Sequence, residues 1–112
     1  MPDIISNIIL DFFRQVKKVL GNKLSKVIVY GSYARGDYNE NSDVDVMILT
    51  KLNESEIKKI ASDIYDMAYD IELEEGLHIS VAIKNEEQFE YWVDTLPFYR
   101  NVSNEGIEIN AG

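Results

Sequence analysis

Ile4, Ile5, Ile8, Ile9, Phe12, Phe13, Val16, Val19 and Leu20 recur at helical spacing and predict an amphipathic helix closed by Gly21. Lys26 to Tyr30 is β-branched and aromatic, which predicts a buried strand. Val44 to Thr50 predicts a second strand, apolar but for Asp45. Asn53 and Glu56 form a capping-box pattern ahead of a long helix whose inward stripe is Ile57, Ile60, Ala61, Ile64, Met67, Ala68 and Ile71. Gly76 ends that helix, and Leu77 to Ile83 alternates as a third strand. Asn85 and Gln88 suggest another capped helix, with Phe89, Trp92, Val93 and Leu96 inward and Pro97 stopping or kinking it. Phe98 to Asn104 reads as a short helix or turn, Glu105-Gly106 as a turn, and Ile107 to Ile109 as an edge strand. The order is α-β-(short α)-β-α-β-α-β, an α/β (α+β) chain without repeats or linkers.

At 112 residues the expectation is one domain, residues 1–112, with a single modest core. No apolar run approaches the roughly 20 residues that span a membrane. The start, Met1-Pro2-Asp3-Ile4, lacks a basic leader, so a cytoplasmic location is expected. With no cysteine, disulfides, zinc–thiolate sites and thiol catalysis are excluded. The net charge of −9 and the lack of a basic stripe argue against bulk nucleic acid as partner.

The chemistry concentrates between the first two strands. Gly31-Ser32 leaves the first strand; ten residues later comes Asp43-Val44-Asp45. Gly31 has no Cβ, so a phosphate can approach the backbone. Ser32 adds a hydroxyl, and the segment after it can begin a helical turn with free N–H groups. Side chains alternate along a strand, so Asp43 and Asp45 fall on one face and Val44, Val46 and Ile48 on the other. Paired carboxylates make a hard-oxygen site suited to Mg²⁺ with waters and substrate phosphates. Arg35 reads either as a phosphate-facing cation or as a surface ion-pair partner. Tyr33 either packs a base or covers the site.

Through Gly31-Ser32, the ten-residue gap and Asp43-x-Asp45, with Arg35, Gly36 and Ser42, the chain resembles the minimal nucleotidyltransferases of the DNA polymerase β superfamily. The resemblance implies a small mixed sheet with helices packed on one face. It implies that Gly31, Ser32, Arg35 and Ser42 bind a nucleoside triphosphate, with Ser42 orienting Asp43 or a phosphate oxygen. Asp43 and Asp45 would hold Mg²⁺ and carry catalysis. Members transfer a nucleoside monophosphate, commonly AMP from ATP, to a hydroxyl. A third carboxylate usually sits on a later strand, and the matching position here is Ser80. A hydroxyl is no anionic base and a poor Mg²⁺ ligand. His78, the one histidine, lies nearby, either structural or near substrate.

Larger members carry a helical domain that holds the acceptor; this sequence ends after its last short strand. Minimal members are often antitoxins of small helical HEPN-family toxins, and some adenylylate the toxin. The leading expectation is therefore a Mg²⁺-dependent adenylyltransferase acting on a HEPN-type partner. The alternative is a weak or inactive module that masks the toxin sterically. A third reading is a nucleotidyltransferase for a small cationic molecule such as an aminoglycoside.

Overall fold

A computed structural model describes residues 1–110. Helix α1 spans Asp3–Leu20, with Asp3 in its first turn and Lys17 and Lys18 in its last, each placed favourably for the helix dipole. Its stripe buries Ile9, Phe12, Phe13, Val16 and Leu20, each worth about 1.5–3 kcal/mol when fully covered. A 3₁₀ turn, Gly21–Lys23, leads into β1, Leu24–Tyr30. One helical turn, α2 (Ser32–Arg35), ends at Gly36, and β2 covers Val44–Thr50.

Helix α3 spans Glu54–Glu75 and begins with the predicted capping box of Asn53 and Glu56, a motif whose cap alone contributes about 1 kcal/mol. Strand β3 covers Ile79–Asn85, two residues later at each end than the alternation predicts. The reason is its parallel pairing with β2, which runs from Val44↔Ile79 to Thr50↔Asn85. Asn85 then serves two elements. Its side-chain amide donates to the Leu52 carbonyl at 2.8 Å, and its oxygen accepts from the Gln88 amide at 2.9 Å, capping α4 (Glu86–Trp92).

The expectation for this last region needs correction. Only Phe89 of its four inward residues is buried; Val93 is half-buried, and Trp92 and Leu96 are exposed. The helix ends at Trp92, and the Thr95 and Leu96 amides both bond the Trp92 carbonyl, which turns the chain outward. Pro97 opens a new helix, α5 (Pro97–Glu105), at the position where its missing N–H costs nothing. Strand β4 is Ile107–Glu108.

The sheet order is β3-β2-β1-β4, with β1 antiparallel to β2 and β4 and β2 parallel to β3. The mixed α/β sheet is as expected. The two long helices, α1 and α3, take one face, over Val27, Val29, Val44, Val46, Ile48, Ile79 and Ile83. The short helices α4 and α5 add partial cover on the other, where Phe89, Tyr99 and Val102 meet Ile28, Met47 and Leu49. Alternation puts Tyr30, Asp45 and Ser80 on this second face.

Candidate functional site

Asp45 is the hub. It is the second residue of β2, half-buried, and lies opposite Tyr30 on β1 and Ser80 on β3. Asp43 precedes the strand and is exposed. Burial raises the Asp45 carboxyl above its ordinary pKa, and the neighbouring Asp43 charge raises it further; Arg35 and His78 act the other way. Among the described residues, no side-chain hydrogen bond or ion pair engages either carboxylate. Two crowded carboxylates with unused oxygens form a donor set that fits a hard divalent cation, with phosphate and water completing the shell.

Gly31 makes this arrangement sterically feasible. Its backbone sits at φ 74°, ψ −152°, a region that side chains rarely enter. A Cβ there would collide with Asp45 Oδ2 and lie 3.2 Å from Cγ. The close approach at Gly31 in the structure is therefore to the Asp45 carboxylate. From the Gly31 carbonyl the chain turns at once into α2, accepting bonds from the Ala34 and Arg35 amides at 3.1 and 3.0 Å. The Ser32 and Tyr33 amides fall in the first turn, where no intrahelical acceptor exists.

Beside these residues opens a cleft of about 380 Å³. Gly31, Ser32, Arg35 and Asp45 line it, facing Phe98, Asn101 and Glu105 of α5. Arg35 donates to Asp37 and Glu105, both at 3.3 Å, and these hydrogen bonds and charges raise its pKa. It is thus an ion-pair partner that also lines the cleft.

Ser42 differs from expectation. Its hydroxyl accepts from the Asn39 amide at 2.9 Å, its own amide returns a bond to the Asn39 carbonyl at 3.0 Å, and Asn39 Oδ1 caps the Asn41 amide at 2.8 Å. Ser42 locks the loop ahead of Asp43 and leaves the aspartate itself uncontacted. Tyr33 is buried in the core and stacked on Tyr38 at 4.5 Å, and it is not among the residues that line the cleft.

Ser80 lies beside Asp45 on the adjacent strand, the register assigned to a third acid. Among the described residues, no group of three or more metal-ligating side chains comes together. His78 bonds Glu72 of α3 through Nδ1. Tyr30, Phe98, Asn101 and Glu105 went unnoticed in the sequence. Tyr30 could have been found, since it precedes Gly31 on a strand antiparallel to the one holding Asp45; burial and the Asp45 charge raise its phenol pKa. The outward face of α5 carried no signal at all.

The family model for the nucleotidyltransferase domain matches residues 8–109. A candidate protein adenylyltransferase of Methanocaldococcus jannaschii is 51% identical over 72 residues, 60% of this chain and 72% of the relative. A second from the same organism is 32% identical over 98 residues, 88% and 90% of the two chains. The fold is similar to a candidate nucleotidyltransferase from Sulfolobus solfataricus, with TM-score 0.53 and 19% identity over 92% of this chain and 77% of that one. It is also similar to a toxin–antitoxin chain crystallised with AMP-PNP, with TM-score 0.55 and 17% identity over 92% and 70%. With a family match over residues 8–109, nearly its whole length, the chain belongs to the nucleotidyltransferase domain family.

Proposed function

We propose that the chain transfers AMP from ATP to a hydroxyl on a partner protein, as the antitoxin of a helical HEPN-type toxin. The observation that carries this reading is Asp45 lining the Gly31-Ser32 cleft, with Asp43 two residues before it. The names of the two archaeal relatives support a protein acceptor, and the toxin–antitoxin neighbour supports the pairing. In the reaction the acceptor oxygen bonds the α-phosphorus and the α–β phosphoanhydride breaks. Pyrophosphate leaves with the bonding electrons, and the hydroxyl proton passes to water. Asp43 and Asp45 would hold Mg²⁺, which supplies positive charge against the phosphates. Gly31 keeps Asp45 close to the end of β1, Ser32 offers its hydroxyl and amide to phosphate oxygens, and Arg35 offers its remaining guanidinium protons.

A second reading, masking without transfer, has one specific observation in its favour: the residue paired with Asp45 on β3, where a third acid is expected, is Ser80. Incubating ATP labelled on either the α- or the γ-phosphate with the chain and a small helical HEPN-type toxin separates the two. Transfer predicts label on the partner from the α-position alone, abolished by Asp43→Ala/Asp45→Ala together with toxin suppression. Suppression by that double variant without label transfer would establish masking.

A further inference from the structure

On the far side of Asp45 from the nucleotide cleft, the fold leaves a second surface unexplained. Tyr65, Tyr69 and Leu73 lie four residues apart along α3 and are 50%, 54% and 68% exposed, while Ile64, Ala68 and Ile71 of the same helix are buried. Packing alone does not require large apolar side chains outside that stripe. Beside them runs a groove of about 250 Å³, whose lining includes Tyr65, Tyr69, Glu72, His78 and Ser80. Its other wall is β3, the terminal strand of the sheet. The pair between His78 and Glu72 ties α3 to the approach to β3 at this groove.

Two features specify an occupant. Residues 60–83 contain six acids (Asp63, Asp66, Asp70, Glu72, Glu74 and Glu75) and no lysine or arginine. An apolar stripe among acids favours a basic, partly apolar peptide segment and disfavours both nucleic acid and a second copy of a chain with net charge −9. The sheet then fixes where the occupant lies. Asp45 pairs with Tyr30 of the cleft on one side and with Ser80 of the groove on the other. Each step is one strand spacing, about 4.8 Å. Cleft and groove therefore border the Asp45 strand on its two sides, with Ser80 of the groove on the Asp45 face and the α3 wall on the other face of the sheet, around the β3 edge.

We propose that the groove between α3 and the edge of β3 docks a basic protein segment bearing the acceptor hydroxyl, a proposal that rests on the reading of the chain as a protein AMP-transferase. Donor and acceptor enter from opposite sides and meet over Asp43 and Asp45. The probe is a synthetic peptide of lysines and leucines around one tyrosine, titrated into isotope-labelled protein with Mg²⁺ and AMP-PNP. The expected result is amide shifts at Tyr65, Tyr69, Leu73 and Ser80. Tyr65→Ser/Tyr69→Ser, at exposed positions, should weaken the peptide about tenfold and leave AMP-PNP affinity unchanged. A version with glutamate for lysine should not bind. Shifts confined to other faces, equal affinity in the double variant, equal binding of the glutamate peptide, or self-association through this face would each overturn the proposal. Failure of AMP-PNP to bind the wild type would instead count against the transferase reading, and the peptide titration would still judge the groove.

Discussion

Gly31→Ala should damage nucleotide binding far beyond its effect on stability. At φ 74° and ψ −152° the backbone occupies a conformation that costs a non-glycine residue about 1–3 kcal/mol. The new methyl would also occupy the space of Asp45 Oδ2, so the carboxylate must rotate away. Loss of one charged contact to a metal–phosphate group is worth about 1.5–3 kcal/mol, roughly a tenfold to hundredfold loss of Mg·ATP affinity. Gly36→Ala is the internal control. It too has positive φ, 89°, but a Cβ there meets nothing within 4 Å. It should cost about 1 kcal/mol of stability and leave the nucleotide alone. Urea unfolding gives the stability of both variants, and calorimetry gives their affinity for Mg·ATP. A folded Gly31→Ala protein that binds Mg·ATP like the wild type would refute the reasoning, as would equal loss of binding in Gly36→Ala.

Asp45→Asn should stabilise the nucleotide-free protein at neutral pH. The folded pKa is raised, so the folded state holds the proton more tightly than the unfolded chain, and stability falls as pH rises through that interval. The gain should vanish below the ordinary carboxylate pKa; thermal melts at neutral and acid pH check it, and a lower neutral-pH melting temperature for the variant would contradict it. Ser80→Asp should raise Mg²⁺ affinity or AMP transfer, because Ser80 adjoins Asp45 in register; a folded variant with neither change would remove Ser80 from the third position. Thr50→Val should cost about 1–2 kcal/mol in urea unfolding, since the buried Thr50 hydroxyl donates to the Lys23 carbonyl at 2.7 Å and accepts from the Leu52 amide at 3.2 Å. A neutral result would show that the link is dispensable.

The sequence was most legible where one physical constraint ruled. The stripe of α1, the capping box of α3 and the apolar strands follow from spacing and burial alone. It was least legible around α4 and α5. There the residues between Trp92 and Pro97 form a tight turn, and two helices are too short for a clear period. The site divides the same way. Gly31, Ser32, Arg35 and Asp45 are close in sequence and line one cleft, whereas Phe98, Asn101 and Glu105 reach it through tertiary folding alone. The Arg35–Glu105 pair, 70 residues apart, leaves no trace in either local pattern. Ser42 shows a subtler limit: its type and position suggested that it orients Asp43 or a phosphate oxygen, and the local pattern did not show that its hydroxyl also accepts from the Asn39 amide.

The most direct measurement is a calorimetric titration of ATP, with and without Mg²⁺, into the wild-type chain and into Asp43→Asn/Asp45→Asn. Mg²⁺-dependent saturable binding by the wild type and at least about a tenfold loss in the double variant are expected. Equal affinity in the two proteins, or binding indifferent to Mg²⁺, would contradict a nucleotide site built on these aspartates.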